Sequence, residues 1–162
     1  MSGFAYFFIA KSNSWELQAS NVCYGAKNNE YGQFKLKKRG QLKAIRMKHV
    51  SGYLDCDSDN PKTNSKSRLG SYPIKTIITD KQKSIVFPDH EMVVKSNYSF
   101  LIRGYDARTS EFLTYVDSIN PMYVEVGTEL RIWFGEDLQD TSEHDNIGKH
   151  CVDVYAKISD DF

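Results

Sequence analysis

The sequence predicts an all-β fold: an antiparallel β-sandwich, with a jelly-roll arrangement preferred and a barrel as the second choice. Three observations support this prediction. Aromatic residues make up 13% of the chain and accompany many Val, Ile and Thr, a composition that suits half-buried sheet surfaces. Roughly ten short segments alternate apolar and polar residues with a period of two. No segment keeps an apolar stripe of helical period over three turns.

The alternation defines the predicted strands in order along the chain. Phe34 and Leu36 alternate with lysines, and the pattern resumes from Leu42 to Val50. A change of phase within that second segment predicts a bulge near Ala44. The other strands predicted in this part of the chain are Ala5 to Ala10, Trp15 to Gln18, Ile74 to Ile78 and Ser84 to Phe87.

The second half of the chain contains the clearest alternation, in the segments Glu129 to Phe134 and Cys151 to Ile158. The best candidate for a helix is Arg108 to Val116, which competes with a strand from Phe112. The other strands predicted in this half are Glu91 to Val94, Tyr98 to Arg103, Phe112 to Val116 and Tyr123 to Val126.

Length and charge limit the classes of protein. The 162 residues are expected to form a single domain, 1–162, and one interpretation of Met1 to Gly3 is a cloning remnant in place of a leader. Lys plus Arg and Asp plus Glu both total 21, so no bulk positive charge favours nucleic acid as a partner. The longest apolar stretch, Phe4 to Ala10, is too short to span a bilayer. Oligomeric state is left open.

Two long acidic connections are the candidate calcium sites, because calcium prefers carboxylate, amide and carbonyl oxygens. Asp55 to Ser71 begins like an EF-hand loop but has Lys66 at the twelfth position. The second connection, Gly135 to His150, is the preferred site. The alternative is a solvated acidic loop that binds no metal. The predicted metal ligands are Asp137, Asp140, Glu143, Asp145 and Asn146.

The three cysteines permit at most one internal disulfide. Cys23 can pair with Cys151 or with Cys56, and three reduced thiols in a cytosolic protein are the third alternative. The triplet that begins at Asn97 is an N-x-S glycosylation acceptor, which favours a secreted protein.

Basic residues from Lys35 to Lys48 are predicted to lie on two adjacent strands. Such a ribbon would suit a single-stranded nucleic acid, a sulfated glycan or an acidic partner, but solvent-facing residues that protect a sheet edge are the preferred interpretation. Enzyme motifs are missing: the sequence has no GxSxG, HExxH, P-loop or GxGxxG pattern. Neither an enzyme nor an organic cofactor is therefore expected.

Three runs of sequence resemble uncharacterised extracellular β-rich domains of cnidarians and other marine invertebrates. They begin at Trp15 (WELQASNVCYG), at Glu129 (ELRIWFGEDL) and at Cys151 (CVDVYA). The resemblance implies a secreted domain and brings no known activity. The domains that this sequence resembles carry a further cysteine near the position of Ser71, so the resemblance implies that Cys56 has lost its partner and that Cys23–Cys151 is the surviving bridge.

These features predict a secreted, extracellular ligand-binding module, and carbohydrate is the preferred class of ligand. Exposed aromatic rings can stack on sugar rings while carboxylates accept hydrogen bonds from sugar hydroxyls. The predicted ligand-binding residues are Trp133, Tyr155, Glu136 and Asp137, although Trp133 could equally belong to the core. One alternative is an extracellular matrix protein whose acidic loops bind cations or a partner protein. An enzyme of unrecognised type is the other.

Overall fold

A computed structural model describes residues 14–59, 73–117 and 121–160. Strands account for 51% of these residues and helices for 8%, which confirms the predicted all-β class. The strands are β1 (Glu16–Gly25), β2 (Gly32–Lys35), β3 (Gly40–Asp55), β4 (Thr76–Asp80), β5 (Ile85–Phe87), β6 (Phe112–Val116), β7 (Met122–Val124), β8 (Glu129–Phe134) and β9 (Ile147–Ser159). The helices are α1 (His90–Lys95) and α2 (Gly135–Gln139).

The described strands form two antiparallel sheets. The five-stranded sheet has the order β1-β9-β3-β6, and β7 also pairs with β3. The four-stranded sheet has the order β2-β8-β4-β5. The predicted sandwich is confirmed, and the described strands do not close into a barrel; the jelly-roll arrangement stays a prediction.

One hydrophobic core lies between the two sheets. From the five-stranded sheet, Val152 and Val154 are fully buried, and from the four-stranded sheet so are Leu130 and Ile132. Burial of each such side chain contributes about 1.5–3 kcal/mol. This shared core fixes which side of each strand faces inward and therefore which residues are left for the outer faces.

Two local predictions for β3 and β6 are confirmed. The pairing of β3 with β9 changes register between Leu42 and Ala44, where the change of phase predicts a bulge. The segment Phe112–Val116 is a strand, not part of a helix, because it pairs with β3 along its whole length.

Two predicted strands are wrong. Glu91 to Val94 belongs to helix α1, whose first turn is capped by the Asp89 carboxylate, which accepts the Met92 N–H at 2.9 Å. Only Val93 of this helix is buried, so its adjacent valines do not line one face of a sheet. Tyr98 to Arg103 forms no strand, and Phe100 contributes one isolated bridge to Ile74.

The predicted basic ribbon is also wrong, because β2 and β3 lie in different sheets. Lys35 is exposed at the end of β2 on the four-stranded sheet, and Lys37 is exposed just after it. Arg46 and Lys48 lie on β3 in the five-stranded sheet. The chain therefore separates these basic residues instead of assembling them on one hairpin.

A disulfide joins Cys23 on β1 to Cys151 on β9, which are paired across the two strands with a Cα–Cα distance of 4.0 Å. Cys56, the third cysteine, is not part of this bridge. The pairing implied by the family resemblance is therefore present.

Some predictions fall on parts of the chain that the structure does not describe. The strand Ala5 to Ala10, the interpretation of Met1 to Gly3 and most of the first acidic connection lie outside the described residues. In the described part of the chain, neither helix has the length and apolar character needed to cross a bilayer.

Candidate functional site

The second acidic connection leaves β8 and returns to β9, and we refer to residues 135–146 as the acidic connection. It begins with Gly135, where a Cβ would lie 2.8 Å from the Tyr98 carbonyl oxygen, so a side chain would displace the neighbouring backbone. Helix α2 starts at this glycine and ends at Gln139. The next residue, Asp140, caps the helix with a left-handed φ of 55°. This short turn directs the Asp137 side chain inward.

Asp137 is a buried carboxylate with a relative exposure of 1%. Its Oδ1 accepts the N–H of Asn29 at 2.6 Å, whereas its Oδ2 has no hydrogen-bond partner. Burial above all, and the neighbouring carboxylate of Glu143, raise the pKa of Asp137 to about 6, even though the N–H groups of Asn29 and Glu30 favour the ionised form. Two adjacent carboxylates are stable only when a proton or a cation lies between them.

Asn146 is fully buried, and its amide orientation is fixed by hydrogen bonds. The Nδ2 group donates to the Ala26 carbonyl at 3.1 Å and to Glu136 Oε2 at 2.7 Å. Glu136 in turn forms an ion pair with Lys75. Because both amide hydrogens have acceptors, the opposite orientation would lose two hydrogen bonds, and Oδ1 is the atom left without a partner.

Three buried side-chain atoms of the described residues lack a hydrogen-bond partner: Asp137 Oδ2, Glu143 Oε2 and Asn146 Oδ1. All three are oxygens, and all three belong to the acidic connection. A proton shared between the Asp137 and Glu143 carboxyl groups satisfies those two oxygens, whereas Asn146 Oδ1 stays unsatisfied, at a cost of about 1–3 kcal/mol. A set of carboxylate and amide oxygens fits a hard cation such as calcium, and it lacks the sulfur or imidazole ligands that zinc favours.

The other predicted metal ligands lie elsewhere. Asp140 is exposed at the end of α2. The Asp145 backbone carbonyl accepts a hydrogen bond from Ser58 Oγ at 2.5 Å, and its carboxylate belongs with Asp59 and His144 to a partly exposed group whose ligand atoms lie within 4.8 Å of one another. The acidic connection thus places two of the five predicted ligands, Asp137 and Glu143, side by side, and the unpartnered oxygen of a third, Asn146, belongs to the same connection.

The four predicted ligand-binding residues do not form one surface. Trp133 has no exposed surface, so the core interpretation of this residue is correct and the stacking interpretation is wrong. Tyr31 covers its ring at a centroid distance of 4.7 Å. Tyr155 lies in the five-stranded sheet, whereas Glu136 and Asp137 follow β8 of the other sheet. Glu136 is already engaged by Lys75 and Asn146.

Residues distant in sequence complete the site, and sequence reasoning missed them. Asn29 and Ala26, in the connection between β1 and β2, contact Asp137 and Asn146, and Lys75 precedes β4. Their contacts use backbone atoms or a lone lysine, so no local pattern could have marked them. Asn97, the predicted glycosylation residue, is exposed after α1; its modification stays a prediction.

An open depression of ≈ 370 Å³ lies beside α2. It is lined by groups that can donate or accept hydrogen bonds and by one tyrosine ring. The lining residues are Lys83, Ser84, Ile85, His90, Tyr98, Leu138 and Gln139. Two of them, Leu138 and Gln139, belong to the acidic connection, so the depression and the buried oxygens share one structural element.

A second buried polar group connects the two sheets. His150 Nε2 lies 2.9 Å from His49 Nδ1, and His150 Nδ1 lies 3.1 Å from the Tyr24 hydroxyl. That hydroxyl lies 3.0 Å from Thr76 Oγ1. Burial, together with His49, lowers the pKa of His150 to about 3, so the imidazole is neutral in the folded protein.

His150 is expected to lower the free energy of unfolding as the pH decreases from about 6.5, whereas Asp137, which holds a proton in the folded protein from about pH 6, acts in the opposite direction and offsets much of this loss. Between pH 6.5 and pH 3 the unfolded chain binds a proton at His150 that the folded protein does not, so the His150 contribution to stability falls by up to about 1.4 kcal/mol per pH unit. Urea denaturation from pH 7.5 to pH 4.5 measures this slope. His150→Gln should remove the His150 contribution and leave a stability that rises toward low pH, whereas His144→Gln, at an exposed histidine, should keep the pH profile of the unsubstituted protein; equal profiles in both variants would contradict the assignment.

The fold and the site define a class: an antiparallel β-sandwich with a cross-strand disulfide and an oxygen-rich connection at one end. No protein-family model matches the chain, and no curated protein matches it. A solved structure does: AJLec from the sea anemone Anthopleura japonica, with a TM-score of 0.77 and 30% sequence identity over 90% of this chain and 98% of AJLec. The chain therefore belongs to the family of AJLec, a cnidarian protein. The wider marine-invertebrate signature stays a prediction.

Proposed function

We propose that this protein is a lectin, a binding protein for carbohydrate and not an enzyme. The observation that supports this most strongly is its membership of the AJLec family, because the name AJLec denotes a lectin. The match covers 98% of AJLec, so the likeness extends over nearly the whole of that chain.

The depression beside α2 is our candidate for the sugar site. Sugars are bound through hydrogen bonds to their hydroxyls and through contact with an aromatic ring, and an open site with both polar and apolar lining residues can supply both. His90 and Gln139 offer hydrogen-bonding groups, and Tyr98 offers the ring. Tyr98 takes the stacking role that the sequence suggested for Trp133.

Calcium is proposed to bind the three unpartnered oxygens of Asp137, Glu143 and Asn146. A divalent cation there would replace the proton between the two carboxylates and satisfy the Asn146 oxygen. Because Leu138 and Gln139 line the depression, calcium would hold this part of the sugar site in one conformation. Calcium and sugar binding are therefore expected to be linked.

An extracellular location is part of the proposal. The Cys23–Cys151 disulfide supports it, because disulfides persist mainly in oxidising compartments. The exposed position of Asn97 leaves its side chain accessible for glycosylation in the same compartment.

Calcium is expected to raise the melting temperature at pH 7.5. At a free concentration a hundred times Kd, binding to the folded state alone adds about 2.7 kcal/mol, or roughly 5–10 °C for a domain of this size. The increase should shrink at pH 5, because Asp137, with its pKa of about 6, then holds a proton that competes with the cation. Differential scanning fluorimetry in calcium and in EGTA measures both effects.

The substitution Glu143→Gln tests whether Glu143 is a metal ligand or has only a structural role. The amide that it introduces can donate to Asp137, so the metal-free protein should melt higher while the response to calcium is lost. Glu91→Gln, at an exposed ion pair on α1, should keep the full response. An unchanged melting temperature with calcium in the unsubstituted protein would exclude the metal site.

Carbohydrate binding is tested on a glycan array in calcium and in EGTA, with competition by free sugar. Gln139→Ala should weaken binding at least tenfold, whereas Gln33→Ala, at an exposed position of β2, should not. A blank array would reject the lectin proposal and favour the matrix-protein alternative.

A further inference from the structure

The outer face of the five-stranded sheet carries a group of basic and aromatic residues that the proposed sugar site does not use. Ile45 and Met47 are fully buried, so Arg46 between them points outward. In the sheet register Arg46 lies opposite Tyr155 of β9 and Thr114 of β6. We call this group the cationic face. Its members are Trp15, Arg46, Lys48, Phe112, Tyr155 and Lys157.

Aromatic rings hold the Arg46 guanidinium in a defined position. Its Cζ atom lies 4.2 Å from the centroid of the Trp15 ring and 5.3 Å from that of Phe112. Its Nε donates to Thr114 Oγ1 at 3.1 Å. Lys157 Nζ lies 5.1 Å from the same Trp15 ring. Arginine held between rings loses little further side-chain entropy when it binds an anion.

Two of the three cations of this face, Arg46 and Lys157, are in no ion pair of the described residues, whereas Lys48 has acidic neighbours. Among the ion pairs of residues 14–59, 73–117 and 121–160, Lys48 pairs with Glu111 at 3.5 Å, but none includes Arg46 or Lys157. Asp153, a neighbouring acid on β9, accepts the N–H of Asn21 at 2.9 Å. The whole chain has a net charge of zero, so this positive face is a local feature.

We propose that the cationic face binds a sulfated polysaccharide. The free edge of a guanidinium matches two oxygens of a sulfate ester, and both groups are weakly hydrated, so their contact costs little desolvation. Arg46 and Lys48 are two residues apart along β3, which separates them by about 7 Å, and Lys157 lies two residues along β9 from Tyr155, the residue opposite Arg46. A flat array of this kind suits an extended chain with repeated sulfates.

Two other occupants fit the face less well. A second copy of this chain, packed face to face, would bring Arg46 and Lys157 against the same cations. Single-stranded nucleic acid binds through bases that stack on free aromatic faces, but here Arg46 and Lys157 already lie over Trp15.

This inference goes beyond the proposed function, because the cationic face lies on the other sheet and needs no calcium.

The test measures the binding of fluorescent dextran sulfate by anisotropy in EGTA, with neutral dextran as the matched polymer. We expect binding to dextran sulfate alone, weakening steeply with salt as counterions are released. The double variant Arg46→Glu, Lys157→Glu should raise Kd at least tenfold. The control double variant Lys35→Glu, Lys37→Glu changes the same charge on the other sheet and should have little effect. Melting curves verify that both variants fold.

Several outcomes would overturn the proposal: no binding of dextran sulfate, equal losses in the two double variants, or equal binding of carboxymethyl-dextran, which would remove the preference for sulfate. Tighter binding of single-stranded DNA would assign the face to nucleic acid, and a concentration-dependent dimer lost with Arg46→Glu would assign it to a second copy. Because every measurement is made in EGTA, failure here leaves the calcium-linked lectin proposal untouched, and failure of that proposal leaves this one untouched.

Discussion

Reduction of the Cys23–Cys151 disulfide is expected to lower the free energy of unfolding by about 3–5 kcal/mol. The bridge joins residues separated by 128 positions, so its loss releases a large conformational freedom in the unfolded chain. Urea denaturation with and without reductant measures the loss. In the unreduced, denatured protein, thiol titration should detect one thiol, that of Cys56, and after reduction three.

The matched control is Cys56→Ser, which leaves the bridge intact. This variant should keep nearly the full stability and should show no thiol before reduction. If three thiols react in the unreduced protein, the bridge does not form and the case for an oxidising compartment fails.

Trp133→Ala is expected to destabilise the protein by about 3–5 kcal/mol. The indole has no exposed surface, its Nε1 donates to Thr79 Oγ1 at 3.0 Å, and Lys83 Nζ lies 4.7 Å from its ring centroid. Truncation therefore leaves a cavity and removes one hydrogen bond, although the Thr79 hydroxyl still donates to the Asp80 carbonyl at 2.7 Å. Urea denaturation measures the effect, with Tyr123→Ala, at a half-exposed aromatic of β7, as the comparison that should cost far less.

Trp133→Phe distinguishes packing from recognition. Phenylalanine keeps most of the ring volume but loses the hydrogen bond to Thr79, so it should cost about 1–2 kcal/mol. Binding to the glycan array should be unchanged once the variant is folded. A selective loss of glycan binding at normal stability would show that the Trp133 side chain contacts sugar.

The strands were predictable wherever one face is buried and the other is solvated. The segment Cys151 to Ile158 alternates strictly because Val152 and Val154 face the core and their neighbours do not, and β9 follows that pattern. The failures come from competing local effects. At Glu91 to Val94, capping by Asp89 favours a helix, and at β8 both faces are covered, so alternation could not tell whether Trp133 is exposed.

The site was predictable in composition but not in arrangement. An acidic connection is visible in the sequence, yet nothing local distinguishes Asp137, which is buried, from Asp140, which is exposed. That difference arises because Asn29, 108 residues earlier, donates its N–H to Asp137. Contacts of this kind depend on strand order, which periodicity does not encode.

The position of β9 between β1 and β3 has a consequence for biosynthesis. Strands β1 and β3 are synthesised early but do not pair with each other. Both pair with β9, which is synthesised more than 90 residues after β3 ends. Nascent chains on the ribosome would expose two unpaired edges until that strand emerges. Such long-range pairing slows folding and exposes intermediates to aggregation, so we expect the sheet to form only after β9 has emerged from the ribosome and folding to benefit from chaperones.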